Sequence, residues 1–221
     1  MLGEIVSFKK SKLPQRKFLK GEFVTLEPIN IQKHSQDLYE CFQLDQSGDL
    51  WRYMPSGPFH NIAQFKNYLK KMDCFFYAIY SKRHKKYTGV ASYLRINPDI
   101  GTIEVGWITY SPLLQRTVEA TEAMYLMMKN AFEDLGYRRY EWKCNNGNAK
   151  SKKAALRLGF KFEGVFRQAT IVKGRNRDTA WFSVIDKEWS TLKKGYIKYL
   201  SKNNFKKDLK QIKKLNFNTT S

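Results

Sequence analysis

Apolar and polar positions change rhythm along this chain of 221 residues, and the rhythm predicts its elements. EFVTLEP at 22–28 alternates and stops at Pro28, as a strand does. Leu38, Cys41 and Phe42 recur at helical spacing within His34–Leu44. Asn61 stands where it caps a second helix whose face carries Ile62, Phe65, Tyr68, Leu69 and Met72. Three strands follow, CFFYAIYS, TGVASYLRI and TIEVGWITY, separated by the turns KRHKKY and NPDIG. A long helix is predicted over Thr117–Leu135, with Ala120, Met124, Met127, Met128, Ala131 and Leu135 as its buried stripe. YRRYEWKC reads as a strand and Asn148–Leu158 as a short helix stopped by Gly159. FKFEGVF and DTAWFSVI bracket a turn at KGRN as a last hairpin, and EWSTLKKGYIKYL closes as a helix.

This order predicts an α/β (α+β) fold with helices on both faces of a mixed sheet and a strand–helix–strand unit, 102–144, at its centre. Residues 1–20 read as a loose basic arm, 21–200 as the folded domain and 201–221 as a basic tail. Between the first two helices lies GDLWRYMPSGPFHN, too polar for core and too aromatic for a plain linker.

Composition adds charge to this picture. Forty Lys and Arg against 20 Asp and Glu give a formal net charge of +20, a field that attracts polyanions. Cys41, Cys74 and Cys144 are widely spaced and form no CxxC pair, which argues against a disulfide framework or a zinc site. His34, His60 and His84 have no metal-ligand spacing, so no metal is expected. The N-terminus interrupts its apolar residues with charges too often for a signal peptide, and no run of about 18 apolar residues suggests a membrane span. A soluble cytoplasmic protein is the expectation.

The stretch LQRTVEATEAMYL at 114–126 carries the first chemical signal. It follows a strand directly and opens a helix. A helix start has unpaired N–H groups and partial positive charge, which together form an anion cradle. The N–H groups of Thr117, Val118, Glu119, Ala120 and Thr121 are the expected cradle, with Gln115 and Arg116 in the turn before it. Four pieces of sequence in register then point to a family: Glu104 and Gly106; Gln115, Ala120, Thr121, Glu122 and Ala123; Asn148 and Ser151; Leu158, Gly159, Phe160, Glu163 and Gly164. Over roughly residues 22–190 the chain resembles the GNAT acetyltransferases, in particular their RimJ/RimL-like branch. It departs from that branch where Arg116 and Val118 replace glycines.

The resemblance implies a mostly antiparallel sheet and acetyl transfer from acetyl-CoA to a primary amine by direct attack. The loop 115–121 would hold the CoA pyrophosphate. Backbone groups of Val105, Trp107 and Ile108 would grip the pantetheine arm, and an N–H there would polarise the carbonyl oxygen. Glu104 is the candidate base; its alternative is a pairing with a neighbouring Lys or Arg. Ser151 is the candidate acid for the leaving thiolate and Asn148 a candidate ligand of the CoA arm; the alternative for both is helix capping. Trp51, Tyr53, Met54 and Phe59 fall where such enzymes build a wall of the acceptor pocket; their alternative is a hydrophobic cluster under a long loop. Glu119 and Glu122 are read as structural, Cys144 as a buried inert thiol, and Asp178 as paired with Arg175 or Arg177. The acceptor would be a peptide N-terminus or a small amine, with the basic tail available for polyanion contact. The competing classes are a basic nucleic-acid-binding protein and an acyl-CoA-binding protein that keep the fold without catalysis. Oligomeric state is open.

Overall fold

The computed structural model describes residues 2–217. Eight strands form one sheet: β1 (Leu19–Lys20), β2 (Val24–Pro28), β3 (Phe75–Ser81), β4 (Lys86–Asn97), β5 (Thr102–Tyr110), β6 (Arg139–Asn145), β7 (Lys161–Val172) and β8 (Arg175–Ile185). Their order across the sheet is β1-β2-β3-β4-β5-β6-β8-β7. Every pairing is antiparallel except β5 with β6. A parallel pair needs a crossover, and α3 (Val118–Lys129) supplies it. The other helices are α1 (Ile31–Gln43), α2 (Ile62–Lys71), α4 (Ala149–Arg157) and α5 (Asp186–Leu200).

Strand β3 shows how the layers arise. Successive side chains of a strand point to opposite faces. Tyr77 and Ile79 join a core with Met124, Met127 and Met128 of α3 and Trp189, Leu192 and Tyr196 of α5. Phe76 and Ala78 join a second core with Leu38 and Phe42 of α1 and Phe65 and Leu69 of α2. Helices therefore cover both faces, as predicted. Helix α4 packs its Ala155 and Leu158 on the α3 face. The α1–α2 face is covered over β3 and β4, and a ladder of charged side chains occupies it over β5 and β6.

Several expectations shift in detail. The long helix is α-helical only to Lys129; Asn130–Asp134 form a wider π-turn before Gly136. Ala120 is only half-buried, while Glu119, Thr121 and Glu122 are buried beside the apolar stripe. The N-terminal segment read as a loose arm is tied down: Ser11 N–H donates to the Pro98 carbonyl at 3.1 Å, Lys12 N–H to that of Leu135 at 2.8 Å, and Leu19–Lys20 is a strand. Part of the basic tail also folds back. Buried Asn204 donates to the Tyr199 and Lys213 carbonyls at 2.9 and 3.0 Å, and Phe217 packs on Tyr196. Residues 218–221 of that tail lie outside the described residues. Among the described residues no helix is long and apolar enough to cross a membrane, and no group of three or more His, Cys, Asp or Glu could hold a metal ion.

Candidate active site

The parallel pair β5–β6 is in register only from Thr102–Arg139 to Val105–Trp142. Strand β5 runs on to Tyr110 and β6 to Asn145, so past this point the two strands separate. The gap lies at their C-terminal ends, where both α3 and α4 begin. Gly106, Trp107 and Ile108 are half-buried along one edge of it and have no partner on β6.

Two bulges set the side chains around this gap. Val90 pairs with Thr109 and Ser92 with Gly106, so β5 carries one extra residue between them, and Trp107 adopts φ 49. Leu94 pairs with Glu104 and Asn97 with Thr102, so β4 carries an extra residue there, and Arg95 adopts φ 45. A bulge re-aims the side chain it contains. Arg95 accordingly meets Glu104 at 2.8 Å. Lys143, opposite on β6, meets the same oxygen at 2.9 Å and Glu141 at 2.8 Å. Glu104 is 3% exposed, so the pairing alternative weighed for it describes its contacts in this structure. Arg139 extends the ladder, with Nε on Glu141 at 2.7 Å and a two-pronged contact to Glu163 at 2.8 and 2.5 Å.

The pKa directions follow from this ladder. Arg139 holds the Glu163 carboxyl below the usual carboxylate range. Burial raises Glu141, but Arg139 and Lys143 together outweigh it and leave it lowered. For carboxyls lowered in the folded state, the stability they contribute is present above the unfolded value of 4.5 and is lost as pH falls through the folded values. Denaturant unfolding from pH 7 to pH 3 should therefore show a steeper acid loss in the wild type than in Arg139→Met. Parallel pH curves for the two proteins would contradict this assignment.

The start of α3 is capped from within. Thr117 donates its hydroxyl to the Leu114 carbonyl at 2.6 Å and accepts the Ala120 N–H at 3.1 Å. The Thr121 N–H reaches the Thr117 carbonyl at 3.4 Å, and its hydroxyl accepts both Arg157 nitrogens at 3.1 Å. The five-N–H cradle expected from the sequence thus contracts. Ala120 and Thr121 are committed to the helix, while Val118 and Glu119 N–H have no acceptor among the described residues. The Glu119 side chain turns inward to the Ser81 hydroxyl, so it does not face an anion at the helix start. Gln115 anchors the turn by donating to the Tyr110 carbonyl at 2.8 Å. Arg116 is exposed with φ 61. That left-handed conformation is one that glycine adopts without cost, which is a physical reason for a glycine at this position.

At α4, Asn148 caps the helix by accepting the Ser151 N–H at 3.0 Å, the structural alternative for this residue. The Ser151 hydroxyl accepts the Trp142 indole N–H at 3.0 Å, and its own proton is within hydrogen-bonding reach of the Cys144 thiol. Burial raises the Cys144 thiol, in keeping with an inert role. Asp178 departs from expectation: it accepts the Gln168 N–H at 2.8 Å and the Asn176 amide at 3.0 Å, and pairs with neither Arg175 nor Arg177.

The aromatic loop divides in two. Trp51 and Phe59 belong to the second core, where Trp51 meets Phe42 and Phe59 edge-on at 5.6 and 5.0 Å. Met54 packs partly against them, and Tyr68 links this cluster to Trp107 at 6.4 Å. Tyr53 leaves the cluster and donates to the Gly147 carbonyl at 3.0 Å. Lys150 meets Asp49 at 3.1 Å, and Lys173 donates to the Trp51 and Gly57 carbonyls at 2.9 and 2.7 Å. The loop is thus bound to the β6–α4 turn and to the β7–β8 hairpin tip. Arg95, Lys143 and Lys173 were not singled out in the sequence; the polar alternation at 139, 141 and 143 was the available signal for Lys143.

The comparisons with known proteins agree with this geometry. The family model described as an acetyltransferase (GNAT) domain matches residues 24–161. A crystal structure of a GCN5-related N-acetyltransferase from Brucella melitensis superposes with a TM-score of 0.91 at 42% identity, covering 94% of this chain and 96% of that one. One of a GNAT-family acetyltransferase from Chromobacterium violaceum gives 0.79 at 36% identity, covering 86% and 96%. The Bacillus subtilis N-acetyltransferase YnaD is 22% identical over 170 residues, 70% of this chain and 91% of that protein. A family model spanning most of the chain, a neighbour this similar over its whole length and a sheet split between two helix starts lead to one conclusion: this chain belongs to the GNAT acetyltransferase family.

Proposed function

We propose that the chain transfers an acetyl group from acetyl-CoA to a primary amine by direct attack in a ternary complex. One observation carries this reading: the gap between β5 and β6 opens where α3 and α4 both present their N-termini. The free N–H groups of Val118 and Glu119 take the CoA pyrophosphate, with Gln115, Thr117, Ala120 and Thr121 shaping the turn and Arg116 adding charge. Backbone groups of Val105, Trp107 and Ile108 grip the pantetheine arm, and one N–H there polarises the carbonyl oxygen. Asn148 borders the arm. Glu104 receives the amine proton through water, and the Ser151 hydroxyl donates one to the leaving thiolate. Trp51, Tyr53, Met54 and Phe59 form the acceptor side, where a small amine or a peptide N-terminus enters, as in the RimJ/RimL-like branch. On this reading the enzyme is cytoplasmic, needs no metal, and its basic tail meets polyanions near the acceptor.

Calorimetric titration with acetyl-CoA tests the reading. Micromolar binding is expected, weakened about tenfold or more in Arg116→Glu, where an attractive charge becomes a repulsive one. Arg116→Gly should separate two effects. It relieves the left-handed strain, for a gain of about 1 kcal/mol in unfolding free energy, while removing the charge and weakening acetyl-CoA a few-fold. No binding by the wild type would overturn the reading and leave a nucleic-acid partner as the next one to test. Binding without thiol release on any amine would instead favour an acyl-CoA-binding protein.

A further inference from the structure

The open face of β5, β6 and β8 carries many charges, and the buried carboxylates among them are paired. Glu104 is held by Arg95 and Lys143, and Glu141 by Lys143 and Arg139. Arg177 is different. Its Nε is buried with no hydrogen-bond partner, and no ion pair reaches its guanidinium among the described residues. Lys143 on β6 pairs across to Trp181 on β8, and its ammonium sits 3.6 Å from that ring's centre. Residues two and four positions away along a strand share a face. Arg177 therefore lies on the face of Lys143 and Glu104, beyond the end of β6 at Asn145–Thr179. Burial lowers its pKa, and the Glu104 carboxylate works against that shift. Trp181 also has a buried indole N–H without an acceptor. Its Cα lies about 13 Å along the strand from that of Arg177.

Arg177 is half-buried, and its Nε is shut off from water without a partner; a desolvated donor on a cation costs free energy unless an acceptor pairs with it. Every nearby carboxylate of the chain is already engaged, so the missing partner must come from outside. Arginine's planar donor fork suits a carboxylate or a phosphate. We infer that the amine acceptor carries an oxyanion group, carboxylate or phosphate, which docks on Arg177 while its amino group faces Glu104. This rests on the acetyl-transfer reading above and narrows its substrate to anionic amines. It also explains how a chain of net charge +20 draws in a small amine that would otherwise be repelled.

The test uses matched amines: an α-amino acid against its amide, and phosphoethanolamine against ethanolamine, with acetyl-CoA and a thiol-release readout. The wild type should prefer the anionic member of one pair, and which pair distinguishes carboxylate from phosphate. In Arg177→Gln the ratio of kcat/KM between the two members should fall about 10- to 100-fold, with partial recovery in Arg177→Lys. Thermal unfolding of the variants checks that the fold is kept, as expected for a side chain without internal partners. A second readout needs no acceptor. The Arg177 Nε–H resonance, assigned by its loss in Arg177→Gln, should shift when acetate or inorganic phosphate is titrated into the acetyl-CoA complex at millimolar concentration. No preference in the wild type, a preference undiminished in Arg177→Gln, or an unmoved resonance would each overturn the inference. Failure to bind acetyl-CoA at all would instead remove the acetyl-transfer reading, and this inference with it.

Discussion

Glu104→Gln lowers kcat by about 10²- to 10⁴-fold while the affinity for acetyl-CoA stays within about twofold, if Glu104 takes the amine proton. The substitution keeps shape and removes only the charge and the proton acceptor. It also leaves Lys143 with Glu141 and frees Arg95, whose side chain is 61% exposed and can turn to water. The ladder therefore loses one member without stranding a cation. Steady-state kinetics across pH separates the two roles open to this residue. A base removes the acidic limb of the kcat profile when it is lost. A purely structural carboxylate lowers the melting temperature and leaves the profile's shape unchanged. A loss of less than about fivefold in kcat, with the acidic limb intact, would exclude Glu104 as the base. Trp107 and Ile108 would then remain as backbone contributors, and water alone would carry the proton.

The second large effect concerns stability. Glu122 lies in the same motif as the proposed phosphate cradle, yet its carboxylate points the other way. It accepts the N–H groups of Glu22, Phe23 and Val24 at 2.7, 2.6 and 2.8 Å and so closes the turn between β1 and β2. The packing is close enough that a Cβ at Gly21 would stand 2.4 Å from the carboxyl carbon, so only glycine fits there. Glu122→Ala leaves three donors without acceptors. A buried donor left unpaired costs about 1–3 kcal/mol, and the exposed end of this turn lets water in. A loss of about 3 kcal/mol, or roughly 10 °C in Tm, is the expected result. Burial holds the Glu122 carboxyl above its usual range, against the pull of the three N–H donors. A raised folded pKa contributes stability below the unfolded value of 4.5 that disappears as pH rises through the folded one. The deficit of the variant should thus be larger at acid pH than at pH 7. A Tm within 2–3 °C of the wild type, less than about 1 kcal/mol, would show that Glu122 is not the anchor of this turn.

How much of this was legible beforehand depends on range along the chain. Helical and alternating periodicities are local, set by 3.6 and 2 residues per repeat, so the strands and helices stood out. The Asn61 and Asn148 caps were legible for the same reason, since a cap and its N–H partner lie three residues apart. The motif register 104–106, 115–123, 148–151 and 158–164 was enough to name the family. Local pattern read Glu122 as structural through the helix dipole, but the first turn of α3 holds only Glu119, and Glu122 is structural by a long-range contact to the β1–β2 turn instead.

Contacts between distant segments were not legible. That Arg95 would turn onto Glu104 depends on a bulge in β4, which is a mismatch in count between two strands and has no mark in either one alone. The narrowing of the cradle to Val118 and Glu119 depends on Thr117 spending its hydroxyl and carbonyl on the next turn. Trp51 and Phe59 fill a core because α1 and α2 bring Phe42 and Phe65 to them. The tail's lysines gave no hint that Asn204 and Phe217 would dock on α5, because periodicity does not report a single anchoring residue. By itself the sequence determined the elements, their order and the family, all written in short-range spacing and charge. Tertiary structure alone decided which charges pair, which N–H groups lack an acceptor among the described residues and that the Arg177 Nε is one of them, because each is a property of strands brought together from far apart in the chain.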